Sequence, residues 1–355
     1  MKVYKAIWLE SQHRWQINAT RDGRRKTFTC AVEGRKGERI CQEKAFRWME
    51  EGISNGRTTV ERVAERWLDE IKSNSPSGKY HTAKSITNNH ILPVVGKRRM
   101  SELNQQDVQD IVNRAHKQGL TKSTLVNIRG YAALLVKYAR KSNLTKLTLD
   151  DVEIPKNAPK AEKIILQPAD IKKLFEPHDH RMIHAYRVCL ILGLRPGEMI
   201  ALKWDAIKGD ALHINGSINI RGEETTGKNK NARRAIAMPQ IAVDEIKAQK
   251  EQNKKEGIIS PFVFPGRDGN AMSEVALRIS WYGLRDSLGM SKASLYGLRH
   301  TFVSLHKSMP AGMVKTIVGH SDSMDTFGVY GHEVDGDRII ARDFIQDTFK
   351  SILKT

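Results

Sequence analysis

The sequence predicts a mainly α chain with small β-sheets, an α+β arrangement spread over more than one domain. Three observations carry this. From Thr58 onward apolar residues recur at helical spacing, while short alternating runs and a polar hairpin-like stretch at 211–239 mark small sheets. The length, 355 residues, exceeds that of one ordinary domain.

Residues 1–52 read as a three-stranded sheet followed by a helix. Ala6, Trp8, Trp15, Ile17 and Ala19 include alternating stretches, and Asp22-Gly23 is a hairpin turn signal. Arg24-Arg25-Lys26-Thr27-Phe28 follows as a basic strand, and Gln42 to Glu51 reads as a short helix carrying Ala45, Phe46 and Trp48. The stretch 52–57, GISNGR, is a linker by composition. A basic sheet of this kind either lays a face in a DNA major groove or only packs on its neighbour, and the residues leave both readings open.

Residues 58–148 form a helical domain. Val60, Val63, Ala64, Trp67 and Ile71 lie on one helix face. Ser101 or Asn104 caps a second helix striped with Val108, Ile111, Val112 and Ala115. Thr121 caps a third, with Leu125, Ile128, Ala132, Leu135 and Ala139 recurring every three or four residues. These stripes are core. The opposite faces hold Lys117, Lys122, Arg129, Lys137, Arg140 and Lys141, which suit phosphate contact and equally suit a solvated surface. Asp150 to Glu162 is a Pro-containing extended linker. A C-terminal domain, 163–355, opens with a helix at Pro168-Ala169-Asp170.

Composition narrows the partners. Lys and Arg outnumber Asp and Glu by 59 to 40, a net charge of +19. Residues 1–57 carry 13 basic and 7 acidic side chains, 58–160 carry 18 and 10, and 161–355 carry 28 and 23. Because every segment is in excess, one long polyanion touching all domains is the economical partner, although charge does not separate DNA from RNA. No apolar run reaches membrane length, and MKVYKAIWLESQHRW places charges where a signal peptide needs an apolar core. Cys30, Cys41 and Cys189 are scattered and odd in number, without metal-ligand spacing. A reduced, cytoplasmic protein with no metal or cofactor is the expectation.

Three short C-terminal segments offer cations and a phenol. The first is Gly193-Leu194-Arg195-Pro196-Gly197-Glu198, where Arg195 precedes a proline suited to the first turn of a helix. Its guanidinium then sits near a positive helix end and calls for an anion. The second runs from Leu295 to Phe302 and contains Tyr296, Arg299 and His300. The third holds Val318-Gly319-His320 and then Tyr330-Gly331-His332. Taken singly each is weak, since most arginines are surface charges and most tyrosines are packing residues.

In this order the segments resemble the tyrosine recombinase family over residues 58–355. The family's G-L-R-x-x-E segment matches Gly193 to Glu198, and its β-hairpin lysine matches Thr226-Gly227-Lys228-Asn229-Lys230. Its H-x-L-R-H-T segment matches Tyr296 to Thr301 except at the first position, and L-G-H matches Val318-Gly319-His320. The nucleophilic tyrosine, about ten residues on, is then Tyr330.

The resemblance implies a site-specific DNA recombinase of the phage or mobile-element integrase kind, working through a 3′-phosphotyrosine and a Holliday junction. Its catalytic set is Arg195, Lys228, Tyr296, Arg299, His320 and Tyr330. The two arginines clamp nonbridging oxygens without a metal, and His320 donates to one of them. Lys228 protonates the leaving 5′ oxygen, with Lys230 two residues away as a rival. Glu198 and His300 support the arginines. Tyr296 stands where the family usually has histidine, so it contributes a hydrogen bond but no charge. The resemblance further implies an arm-type DNA-binding domain at 1–52, a core-binding domain at 58–148 that includes His90 to Gly96, and a catalytic domain at 163–355. Expected partners are double-stranded DNA attachment sites, further copies forming a tetramer on DNA, and accessory DNA-bending or excision-directionality proteins. The expected place is the cytoplasm of a bacterial host, at the nucleoid. In this family tails such as Asp343 to Thr355, striped with Phe344, Ile345, Phe349, Ile352 and Leu353, often dock on a neighbouring subunit, and packing on the chain's own domain is the other option. A type IB topoisomerase would share the chemistry, and a regulatory DNA-binding descendant with Tyr296 marking decay is the reading from another class.

Overall fold

The computed structural model describes residues 5–21, 24–53, 58–225, 233–319 and 336–354. Its elements group into two compact units, Met1–Ala161 and Glu162–Thr355.

The first unit begins with an antiparallel sheet of β1 (Ile7–Leu9), β2 (Arg14–Arg21) and β3 (Arg24–Cys30), in that order. Trp15 pairs with Cys30 and Ile17 with Phe28, so Ile17, Ala19 and Cys30 share a buried face. Helix α1 (Gly34–Ile53) covers that face with Cys41 and Ala45. The helix starts eight residues before the expected Gln42, because two glycines and a run of charges disguise its first two turns as a loop. Burial of Cys41 outweighs their low helix propensity. The Asp22-Gly23 turn lies outside the described residues.

The rest of this unit is helical: α2 (Val60–Asn74), α3 (Ser77–Ile86), α4 (Leu92–Val95), α5 (Gln105–Lys117) and α6 (Lys122–Lys141). A wide helical turn, Thr87–Ile91, joins α3 to α4. The expected stripes of α2, α5 and α6 all face one core, where each fully buried aliphatic side chain contributes about 1.5–3 kcal/mol. Asn104, not Ser101, caps α5, in a reciprocal capping box with Asp107. Arg129 departs from the expected surface role. It is half-buried and donates to the Val152 carbonyl at 3.0 Å. That bond is one of several that pin the supposed linker. Val152 and Ala158 are buried among the helices, and Gln109 brackets Glu153 by bonding both its carbonyl and its N–H. The Lys122 N–H reaches the Pro159 carbonyl at 2.7 Å.

The second unit is built around α8 (Ile183–Leu192), in which every residue but His184 is buried. Before it comes α7 (Pro168–Phe175), opened by a capping box of Gln167 and Asp170. After it come the short α9 (Pro196–Ile200), β4 (Ile207–Lys208), β5 (Ala211–Ile214), β6 (Ser217–Ile218), β7 (Glu224–Thr225) and β8 (Arg234–Ala237). Strands β4, β5 and β8 form one antiparallel sheet, with Ile214 opposite Arg234, while β6 and β7 pair separately. The helices α10 (Gln240–Lys255), α11 (Glu274–Ser287), α12 (Gly297–Leu305), α13 (Ala311–Val318) and α14 (Asp337–Lys354) complete the unit.

The tail packs on its own unit. Ile345 and Phe349 on α14 are fully buried in the core, and Phe344, Ile352 and Leu353 lie against it. Phe344 and Phe349, with Phe302, close an aromatic box around His306, whose ring centroid is 4.4 Å from that of Phe302. His306 Nδ1 donates to the Phe302 carbonyl at 2.8 Å, and burial holds its pKa below the ordinary 6.5. The folded protein thus binds this proton less readily than the unfolded chain does. Stability from this group is fully present above pH 6.5 and is lost as the pH falls toward the lower folded value. Urea melts at about pH 7.5 and about pH 5.5, either side of the ordinary 6.5, are expected to show a smaller acid loss for His306→Leu than for the parent chain. An equal loss would assign it to other groups.

Candidate active site

Two segments distant in sequence meet where α8 ends. The helix stops at Gly193, whose φ of +60° is left-handed, and a β-carbon there would lie 2.6 Å from the Phe302 ring. Glycine therefore lets the chain turn tightly against α12. Two residues later Arg195 caps α9, with Pro196 in the first helical position. The anion that a guanidinium needs at this end comes from the chain itself. Glu198 Oε1 accepts from Arg195 Nη1 at 2.6 Å, and Oε2 accepts from the Arg195 backbone N–H at 2.9 Å.

Arg299 is aimed inward by α12. Leu298 and Phe302 fix the helix in the core, and Thr301 anchors it by accepting from the Leu166 N–H at 2.9 Å. Arg299 is left 1% exposed, donating to the Gly193 carbonyl at 2.9 Å and to the Val318 carbonyl. Burial, and then the neighbouring Arg195 charge, lower its pKa to about 10, which still leaves it cationic at neutral pH. The Arg195 side chain is about a third exposed. Tyr296 precedes α12 and is 40% exposed, its ring edge-on to His300 at 5.1 Å between centroids. Burial, with Lys163 and Arg299 nearby, keeps the His300 pKa below its ordinary value.

A third cation was not singled out from sequence. Arg234, at the start of β8, donates to both Glu198 oxygens at 3.0 and 2.8 Å and to the Ile317 carbonyl. Both side chains of this pair are 4% exposed. Burial alone would raise the Glu198 carboxyl, but the Arg234 bonds and charge, with Arg195 behind them, hold it below the usual carboxylate range. In the sequence Arg233-Arg234 looks like one more surface basic pair. The available signal was its place on the return strand of the hairpin, directly before the apolar Ala235-Ile236-Ala237.

The carbonyls of Ile317, Val318 and Gly319 thus accept, in order, from Arg234, Arg299 and Arg195. The end of a helix leaves its last carbonyls without helical partners and carries partial negative charge, so α13 forms a ledge suited to cations. Gly319, at φ +63°, closes α13 in the left-handed region and presents the third carbonyl. Of the six expected catalytic residues, the structure brings Arg195 and Arg299 together and places Tyr296 one helical turn before Arg299. Lys228, its rival Lys230, His320 and Tyr330 lie outside the described residues.

Fixed cations of this kind suit a phosphodiester, and the fold around them is that of the tyrosine recombinases. Residues 158–336 match the phage integrase family, and residues 59–116 match the phage integrase N-terminal SAM-like domain. The chain belongs to the phage integrase family. Among relatives, it is 21% identical over 352 residues to a tyrosine recombinase XerC-like protein of Caldanaerobacter subterraneus subsp. tengcongensis, covering 84% of this chain and 87% of that one. Its fold is similar to that of the Tn1549 transposon integrase in complex with circular intermediate DNA, with a TM-score of 0.64 at 16% identity over 81% of this chain and 99% of that one. It is also similar to a lambda integrase tetramer bound to a Holliday junction, with a TM-score of 0.60 at 13% identity over 92% of this chain and 96% of that one.

Proposed function

We propose that this chain cuts and rejoins DNA at specific sites, with Tyr330 as nucleophile and Arg195 and Arg299 as the phosphate clamp. The observation that carries the reading is the seating of both arginines on the Gly319 and Val318 carbonyls, directly before His320. Attack by the Tyr330 oxygen on phosphorus forms a phosphotyrosine and breaks the bond to the 5′ oxygen. The phenol gives up its proton as it attacks, and the departing oxygen takes one from Lys228, so the two transfers balance. The phosphodiester energy is kept in the new ester, and rejoining runs the same steps backward. His320 and the Tyr296 hydroxyl add hydrogen bonds at the phosphate.

Residues 1–52 serve as an arm-type DNA-binding domain, 58–148 as the core-binding domain and 163–355 as the catalytic domain. The working unit is a tetramer on two duplexes passing through a Holliday junction, assisted by accessory DNA-bending or excision-directionality proteins. The basic excess in every segment supports a long DNA path. Among the described residues no helix is long and apolar enough to cross a membrane. The expected place of work is the nucleoid of a bacterial host.

The test is covalent capture on a nicked suicide duplex carrying the attachment core. Peptide mapping is expected to find the 3′-phosphate on Tyr330. Tight binding to the proper core without capture would overturn the reading in favour of a regulatory DNA-binding protein. Tyr296→Phe is expected to slow capture about tenfold with binding unchanged, the worth of one hydrogen bond in the transition state. An unchanged rate in single-turnover assays would remove the phenol from the mechanism.

A further inference from the structure

We infer that Arg234 is a positioning residue for strand cleavage, acting through Glu198 on Arg195; the inference rests on the recombinase reading above. Four observations support it. Arg234 holds both oxygens of Glu198, and Glu198 holds Arg195 by its guanidinium and its backbone N–H. The third Arg234 donor reaches Ile317, the carbonyl next to the one that seats Arg299. Both partners are buried, so neither ion is shared with bulk water. Arg234 also begins the strand that returns from the stretch bearing Lys228, six residues away.

One side chain therefore ties together three described segments: the Arg195 turn, the start of β8 and the end of α13. Its charge matters as much as its shape. A buried carboxylate flanked by two guanidiniums is shared between them. With Arg234 gone, Glu198 depends on Arg195 alone, so the pair tightens and Arg195 offers less positive charge to a substrate phosphate. Planarity matters too. Arg234 meets two carboxylate oxygens and one carbonyl from a single rigid group, which a lysine ammonium cannot reproduce.

The test compares single-turnover cleavage and binding on a core-site duplex. Arg234→Met is expected to lower the cleavage rate about 10- to 100-fold while the Kd changes less than about threefold, the range for a group that orients a reacting one. Arg234→Lys is expected to fall between the parent and Arg234→Met. Adding Glu198→Gln to Arg234→Met removes the unshared buried charge and is expected to recover part of the rate, so the double variant cleaves faster than the single one. A further readout separates positioning from loss of fold. A methylphosphonate at the scissile position removes one phosphate charge and with it part of the need for Arg195, so the gap between the parent chain and Arg234→Met is expected to narrow. An equal gap on both substrates, no gain from Glu198→Gln, or a parent-like Arg234→Met would overturn the inference. If the parent chain itself fails to cleave, the recombinase reading fails instead, so the two failures are distinguishable. Should Arg234→Met not fold, Arg234→Lys carries the rate, binding and methylphosphonate comparisons against the parent chain.

Discussion

Tyr330→Phe is expected to abolish covalent capture of a suicide duplex, a loss of roughly 10⁴-fold or more, while core-site binding stays within about twofold. The substitution removes a single oxygen. A ring of the same size remains, so packing and DNA contact have little reason to change. The loss is nearly complete because the proposed covalent bond has no other route. A cationic clamp stabilises a transition state only if a nucleophile reaches phosphorus, and Arg195 and Arg299 hold no group that replaces the phenol. Denaturing gels of the trapped complex read the result directly. An adduct that persists in Tyr330→Phe would move the nucleophile to another tyrosine and would leave the clamp assignment standing on its own.

Replacing Arg299 is expected to damage both activity and fold, in separable amounts. Arg299→Ala leaves the Gly193 and Val318 carbonyls unpaired in a buried site and opens a cavity, a destabilisation of roughly 3 kcal/mol or more. Arg299→Lys keeps a charge, yet an ammonium cannot serve two carbonyls and a phosphate in one plane. Cleavage by Arg299→Lys is expected to fall about 10²- to 10³-fold, the usual cost of a lost transition-state donor. Denaturant melts beside single-turnover assays divide the two effects. A lysine variant that is stable and cleaves at the parent rate would show that Arg299 supports the fold only.

Much of this was legible in the sequence because it rests on local rules. The stripes of α2, α5 and α6 emerged from spacing alone, since amphipathic helices announce their buried face. Arg195 and Arg299 stood out by motif. What was hidden depended on tertiary context. The start of α1 was masked by glycines that burial of Cys41 overrides, and Arg129 looked like surface charge until Val152 came within reach of it. Arg234 was the costliest omission. Its place directly before an apolar strand was the one local sign, and it does not tell that the partner is a buried carboxylate 36 positions earlier.

The carbonyl ledge at the end of α13 has a consequence for dynamics. Each of the three guanidiniums seated on consecutive carbonyls has a second hold, Arg195 and Arg234 on Glu198 and Arg299 on the Gly193 carbonyl. Fraying of one helical turn therefore loosens all three at one end and leaves each anchored at the other. Opening of that turn acts on the whole cationic set at once rather than on a single arginine. Slow amide exchange across the last turn of α13 is expected to report how rarely the ledge opens.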